Sequence, residues 1–280
     1  MSKPSLPSVL KKHYAPGRQS FVLKSGSQRG RRSNDNDNQI IIYGIHAVEA
    51  VLANKARHVH AVYLTRNAQY KLSKTIANTN FDVVQIEPKY LDRYLGHNTV
   101  HQGAMVKCEA LLEPKLNDLI TAAHAQNGPI VVLDQITDPH NFGAILRSCA
   151  AFGCSGVMAT RRHSPPLKGA LAKSASGALE CIPVLLVQNL ARGLETIANE
   201  GLEIIGLDST GSQEFETAFS HRPIAIVLGA EGRGLRKTTQ RVCTFVASIH
   251  TRGSIASLNV SNAASIALYS HSLMRKNSSL

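Results

Sequence analysis

Acidic residues are scarce in this sequence: 19 Asp and Glu stand against 31 Lys and Arg in 280 residues, a formal charge of +12. That imbalance suits a polyanionic partner, nucleic acid or an acidic membrane surface, and charge alone does not choose between them. Long apolar runs are missing too. Ile224 to Leu228 and Val131 to Leu133 are among the longest, against the roughly 18 residues a spanning helix needs, so neither a membrane span nor a secretory h-region is expected. The five cysteines, Cys108, Cys149, Cys154, Cys181 and Cys243, are odd in number and contain no C-x-x-C pair. A disulfide framework and a zinc ribbon are thereby disfavoured, and a reducing cytoplasm fits. The twelve histidines are scattered, without H-E-x-x-H or a Cys/His cluster at ligand spacing, and no metal is expected. No G-x-x-x-x-G-K-[ST] phosphate loop and no G-x-S-x-G elbow occurs, which removes most of the weight from nucleotide hydrolases and α/β-hydrolases.

The 43% of apolar residues is enough for about two domains, each with a core. Residues 1–39 carry eight Lys or Arg against Asp35 and Asp37. Rich in Ser, Pro, Gly and Asn and poor in apolar residues, they read as a disordered basic arm, with an organelle transit peptide as the alternative. Order is expected from Ile40. Residues 40–112 read as a small α/β unit with strands at Ile40 to Tyr43, Val59 to Leu64, Phe81 to Ile86 and Gly103 to Cys108, interleaved with helical stretches near 45–52 and 68–78 and from Pro88. Residues 113–280 begin with a helix from Leu116 that stops at Asn127-Gly128, a turn signal. Six apolar strands follow, at 130–133, 156–159, 182–187, 204–207, 224–228 and 245–249, separated by helical segments and closed by a helix over 259–274. Unbroken apolar strands between helices predict a parallel sheet covered on both faces. A ligand then belongs beyond the C-terminal ends of the strands.

Three junctions carry the chemistry there. The first is Asp138-Pro139-His140-Asn141-Phe142-Gly143 with Arg147 a turn further on; the second runs Leu228-Gly229-Ala230-Glu231-Gly232-Arg233-Gly234; the third runs from Gly253 through Ser257-Leu258-Asn259 to Ser261. Taken singly each is an ordinary turn or helix cap, and the second, G-x-x-G-x-G, is not the dinucleotide fingerprint.

Together, in this order and at these separations, the junctions resemble the three motifs of the SpoU (TrmH-like) RNA ribose 2′-O-methyltransferases of the SPOUT class. The likeness extends through Lys173 to Ala178, Glu180 and Pro183. In the N-terminal unit, Tyr43 to Glu49 and His101-Gln102-Gly103 are similar to the RlmB branch, which methylates a guanosine of 23S rRNA.

The resemblance implies an N-terminal RNA-binding domain and a C-terminal SPOUT α/β domain with a parallel sheet and a deep trefoil knot. It further implies S-adenosylmethionine as cofactor, RNA as substrate and a homodimer. Carried over, the catalytic group falls on Asn141, Arg147, Glu231, Ser257 and Asn259, and the cofactor contacts, largely backbone, on Gly229, Ile249 and Leu258. One departure stands out: Ile249-His250-Thr251 replaces the family's Ile-Pro-Met. Arg147 is too poor an acid to serve readily as a base and is read as a clamp on the target phosphate, held with the substrate by Glu231 and Asn141, while Ser257 and Asn259 order the last loop. Arg57, His58, His60, Arg66 and Lys71 make the N-terminal unit a candidate RNA reader, a packing domain being the other reading. A tRNA methyltransferase and a catalytically inactive RNA-binding assembly factor remain the alternatives.

Overall fold

The computed structural model describes residues 39–79, 81–126, 128–215, 222–253 and 257–277. The expected arm, up to residue 38, therefore lies outside the described residues. The chain divides into two compact units between Leu111 and Leu112.

The first unit runs β1 (Gln39–Tyr43), α1 (Ile45–Ala53), β2 (Val59–Leu64), α2 (Arg66–Lys71), α3 (Ser73–Ala77), β3 (Val83–Gln85), α4 (Pro88–Leu95) and β4 (Ala104–Glu109). Gly44, at φ 97°, makes the abrupt turn from β1 into α1 in a region of backbone space that a side chain disfavours. The sheet order is β1-β4-β2-β3. β4 runs antiparallel to both neighbours and β3 parallel to β2, so the sheet is mixed. The single helix expected over 68–78 is two short ones, broken at Leu72. That side chain is buried, and the break turns it into the core where an unbroken amphipathic helix would be marginal at this length. Tyr63, Leu91 and Met105, all buried, centre the core on one face of the sheet.

The second unit contains α5 (Leu116–Gln126), β5 (Ile130–Asp134), α6 (Pro139–Ala151), β6 (Gly156–Thr160), α7 (Gly169–Ala175), a 3₁₀ turn (Ala178–Glu180), β7 (Val184–Val187), α8 (Leu190–Asn199) and β8 (Glu203–Leu207). After these come β9 (Gln213–Glu214), β10 (Ile224–Gly229), α9 (Lys237–Gln240), β11 (Phe245–Ser248) and α10 (Val260–Asn277). All seven strands are parallel, in the order β7-β6-β5-β10-β8-β11-β9. Every residue of β5 and β6 is buried, as a sheet covered on both faces requires. The two-residue β9, polar and exposed, has no apolar signal in the sequence.

This order places the site. From β5 the chain works outward through β6 to β7, while β10 lies on the other side of β5 and pairs next with β8. The C-terminal ends of β5 and β10 thus flank a switch point, with Gly229 directly opposite Asp134. Such a crevice is where open α/β sheets bind ligands. Helix α6 leaves β5 beside it and packs closely on α7: a Cβ added at Gly143 would come within 2.6 Å of Ser174 Cβ and 2.8 Å of the Ala175 nitrogen.

Candidate active site

Asp138 starts α6 by accepting hydrogen bonds from the His140 and Asn141 amides at 3.1 and 3.2 Å, and Pro139 fills the first helical position. Both are strong start signals, and they fix Asn141 in the first turn, at the mouth of the crevice.

The second junction is shaped by its own backbone. Gly234 donates to the Ala230 carbonyl at 2.9 Å, and a Cβ at Gly229 would meet the Gly234 carbonyl carbon at 2.3 Å. Glycine at 229 is therefore required by the loop folding back on itself, a reason beyond the ligand approach expected from sequence. Asp134, fully buried as a side chain, anchors the loop's far end through Arg236 Nε at 2.7 Å and the Thr239 hydroxyl at 2.7 Å. Sequence reasoning did not find this anchor; the acid closing an apolar strand was its only signal.

The third junction is described up to Gly253 and again from Ser257. Asn259 caps α10: its Oδ1 accepts from the Ser261 amide at 2.9 Å and the Asn262 amide at 3.4 Å. Its Nδ2 donates to Glu231 Oε1 at 2.6 Å and to Asn141 Oδ1 at 3.0 Å, while Asn141 Nδ2 donates to the same Glu231 oxygen at 2.9 Å. Residues 141, 231 and 259, one from each junction, thus close a single clasp.

Beside the clasp lies a cavity of about 490 Å³ lined by Gly229, Glu231, Ile249, Ser257 and Leu258, together with Asp208 and Thr210 from the end of β8. Its size lies within the usual range of roughly 300–1,000 Å³ for small-molecule sites. Burial pushes the Asp208 carboxyl up, but hydrogen bonds from Thr210 and from the Leu235 amide outweigh it and hold the group below its ordinary value. Asp208 and Glu231 give this wall two carboxylates against one guanidinium, Arg233, a net negative balance that suits a ligand with a cationic centre.

Seven of the eight residues expected at the site, all but Arg147, belong to the clasp or the cavity wall. Arg147 is exposed on α6, about 9 Å of helix rise beyond Asn141 at 1.5 Å per residue. Glu231 and Asn141 hold Asn259 and each other rather than Arg147. Of the pair that replaces Pro-Met, Thr251 lines the cavity, while His250 faces Glu214 at 3.8 Å. In the first unit, Arg57 is buried and donates to the Glu109 carbonyl at 2.7 Å, so the expected basic face keeps only Arg66 and Lys71 as exposed cations among its Arg and Lys members.

A parallel α/β sheet whose switch point gathers these three junctions, in a chain that also carries a separate mixed-sheet unit, is the arrangement of an RNA ribose methyltransferase. The model of the SpoU rRNA methylase family matches residues 128–269, and that of the RNA 2′-O ribose methyltransferase substrate-binding domain matches residues 41–114. The chain belongs to the SpoU family, whose chemistry is RNA 2′-O-ribose methylation. Among its relatives are two proteins named 23S rRNA (guanosine-2′-O-)-methyltransferase RlmB. That of Vibrio parahaemolyticus is 35% identical over 81% of this chain and 94% of its own length. That of Ralstonia nicotianae is 36% identical over 82% of this chain and 93% of its own length. In fold the chain is similar to the SpoU methyltransferase AviRb of Streptomyces viridochromogenes in complex with AdoMet, with TM-score 0.69 and 20% identity over 87% of this chain and 95% of that one. No described helix is long and apolar enough to cross a membrane.

Proposed function

We propose that the chain methylates the ribose 2′-hydroxyl of a guanosine in 23S rRNA, with S-adenosylmethionine as methyl donor. The observation that carries this is the clasp of Asn141, Glu231 and Asn259 at the mouth of a cavity whose wall holds two carboxylates and one guanidinium. The first unit's match to a substrate-binding domain, and its RlmB-named relatives at about one third identity, support rRNA over tRNA.

The fit to the cofactor is chemical. S-Adenosylmethionine supplies an electrophilic methyl on a sulfonium, the kind of cationic centre that the Asp208 and Glu231 wall favours. Gly229, Ile249 and Leu258 would hold it, chiefly through the backbone, and Thr251 would complete the lining. Asn141, Glu231 and Asn259 bring three loops into one register, and most of the work of such an enzyme is alignment. The Arg147 side chain, free of hydrogen bonds and ion pairs among the described residues, is available to clamp a target phosphate, whose oxygen would take the 2′-hydroxyl proton, and to stabilise charge developing on the ribose oxygen. Ser257 lies on the same cavity wall as Glu231.

The same reading includes a homodimer. Ile266, Tyr269 and Leu273 are exposed apolar residues on α10, spaced so as to share one face of the helix. Their helix packs on α6, the helix that carries Arg147, through Ser148 Oγ and Ser265 Oγ at 2.7 Å, and a second copy would seat on this face.

The test is to incubate unmodified 23S rRNA with labelled S-adenosylmethionine and digest it with alkali. A labelled, alkali-resistant dinucleotide with guanosine at its 5′ side is expected. Label on a base, or on tRNA alone, would overturn the assignment.

A further inference from the structure

We propose that His58, His60 and Glu109 form a binding site for a zinc-class divalent cation in the first unit, built from residues that belong to neither the clasp nor the cavity wall. His58 Nδ1 lies 3.1 Å and His60 Nε2 lies 3.3 Å from the same oxygen, Glu109 Oε1. The three donor atoms all fall within 4.8 Å of one another. Zinc bound at 2.0–2.1 Å in a tetrahedron sets neighbouring donors about 3.3 Å apart, so two of the three separations already match the edges of a zinc polyhedron. Two imidazoles and a carboxylate form the borderline nitrogen and oxygen set that this ion takes.

The backbone explains how the set comes together. Glu109 sits directly opposite Gln39 on β1, and on its other side its amide donates to the His58 carbonyl at 2.9 Å. Gln39, Glu109 and His58 therefore form one row across the sheet, on one face. His60 joins that face through a bulge: Val59 pairs with Cys108 and Ala61 with Lys107, which leaves His60 as the extra residue between them. Bulges re-aim a side chain in this way. Arg57, bonded to the Glu109 carbonyl at 2.7 Å, fixes the end of β4.

A second observation points into the same place. The Gln39 side-chain oxygen is buried and has no hydrogen-bond partner, while its Nε2 stands 3.5 Å from His60 Nε2. A half-turn of the amide exchanges these two atoms. The oxygen then faces the cluster as a fourth donor, and the amide nitrogen takes the buried position it leaves. An ion held this way would tie β1, β4 and the entry to β2 together.

His58 and His60 stand two residues apart, but Glu109 follows about fifty residues later, so no linear spacing announces the set. His58 is the most exposed of the three, so His58→Ala should leave the fold intact.

The untagged full-length protein, stripped with a chelator, should be titrated with Zn²⁺ by calorimetry and with Co²⁺ by visible absorption. One ion per chain, tetrahedral cobalt bands and a rise in the thermal midpoint with zinc are expected. Loss of an outer partner of a bound metal weakens affinity roughly 10- to 100-fold, so His58→Ala, His60→Ala and Glu109→Gln, each removing a direct ligand, should weaken it by more than that. Replacing His97, an exposed residue remote in sequence from the row, should change nothing. Binding that survives His60→Ala/Glu109→Gln in the folded protein, or the absence of stoichiometric binding, would reduce the cluster to two histidines sharing a carboxylate.

Discussion

Replacing Asn259 by aspartate and by alanine separates two duties that one side chain performs. The Oδ1 atom caps α10, accepting from Ser261 and Asn262, and the Nδ2 atom holds Glu231 and Asn141. Aspartate caps a helix as well as asparagine does, whereas alanine loses about 1 kcal/mol. Asn259→Ala should therefore lower the thermal midpoint by roughly 2–4 °C for a unit of this size, and Asn259→Asp by much less. The clasp behaves differently. Aspartate sets an oxygen where a donor stood 2.6 Å from Glu231 Oε1, with a like-charge repulsion on the order of 1–2 kcal/mol even in a water-like dielectric. The exposed loop can relieve this by swinging into solvent, which opens the clasp. Hydrogen bonds to a charged group contribute about 1.5–3 kcal/mol. If that is realised in the transition state, both variants should lose roughly 10- to 150-fold in methyl transfer. Urea unfolding and methylation of unmodified rRNA, run on the same preparations, measure the two effects. Wild-type turnover in Asn259→Asp, or equal destabilisation of the two variants, would refute the division of labour.

Other outcomes follow from single features. Arg147→Ala should abolish turnover while calorimetric affinity for S-adenosylmethionine stays near wild type, since Arg147 is not part of the cavity wall. Gly143→Ala should destabilise the second unit by about 1–3 kcal/mol in urea unfolding, because backbone as well as side chain of α7 stands where the methyl must go. His271 is pushed down to about 4 by burial and by Arg275. An unfolded histidine titrates near 6.5, so the unfolded chain binds the extra proton first. Its contribution is complete above about pH 6.5 and is lost as pH falls towards 4, by up to about 3 kcal/mol, and His271→Leu should flatten that part of the pH–stability curve. Removing residues 1–38 should lower the slope of log K against log salt for RNA binding by roughly 3 if about four charges engage single-stranded RNA, with the methylated nucleotide unchanged. An unchanged slope would instead favour a targeting role for the arm.

The large elements were legible because their signals are local. β5 and β6 are uninterrupted apolar runs bounded by turns, and Asp138-Pro139 announces α6 two ways at once. Leu72 misled in the first unit because a buried leucine fits a continuous helix and a break between two helices equally well from sequence. β9 was invisible because its pairing with β11 gives it strand geometry without apolar side chains. Of Arg57, Arg66 and Lys71, Arg57 alone is buried; a sequence shows charge but not whether a side chain's N–H groups already turn inward to a carbonyl.

The same limit applies with more force to the site. Asn141, Glu231 and Asn259 were each legible through family motifs, yet nothing in those motifs shows that the clasp is made of these three rather than of Arg147 with two of them. That depends on two geometric facts. Helix α6 turns Arg147 away from the face that Asn141 presents, since six residues amount to about 600° of helix rotation, or 240° around the axis. The loop after β10 has no room for side chains at its neck, where Gly229 meets its own backbone at Gly234, and it is tied down at Asp134 by Arg236 and Thr239. Glu231 consequently projects from a loop fixed at both ends, and its reach is set by β5 as much as by its own motif. Substituting Asp134 should then disturb methyl transfer without any contact to substrate. Asp134→Asn keeps acceptor capacity for the Thr239 hydroxyl but loses the charge facing Arg236, so a fall in turnover at unchanged cofactor affinity would show that the loop's position, rather than the cavity's lining, limits the rate. Wild-type kinetics in Asp134→Asn would mean that the Gly229 neck alone fixes the loop.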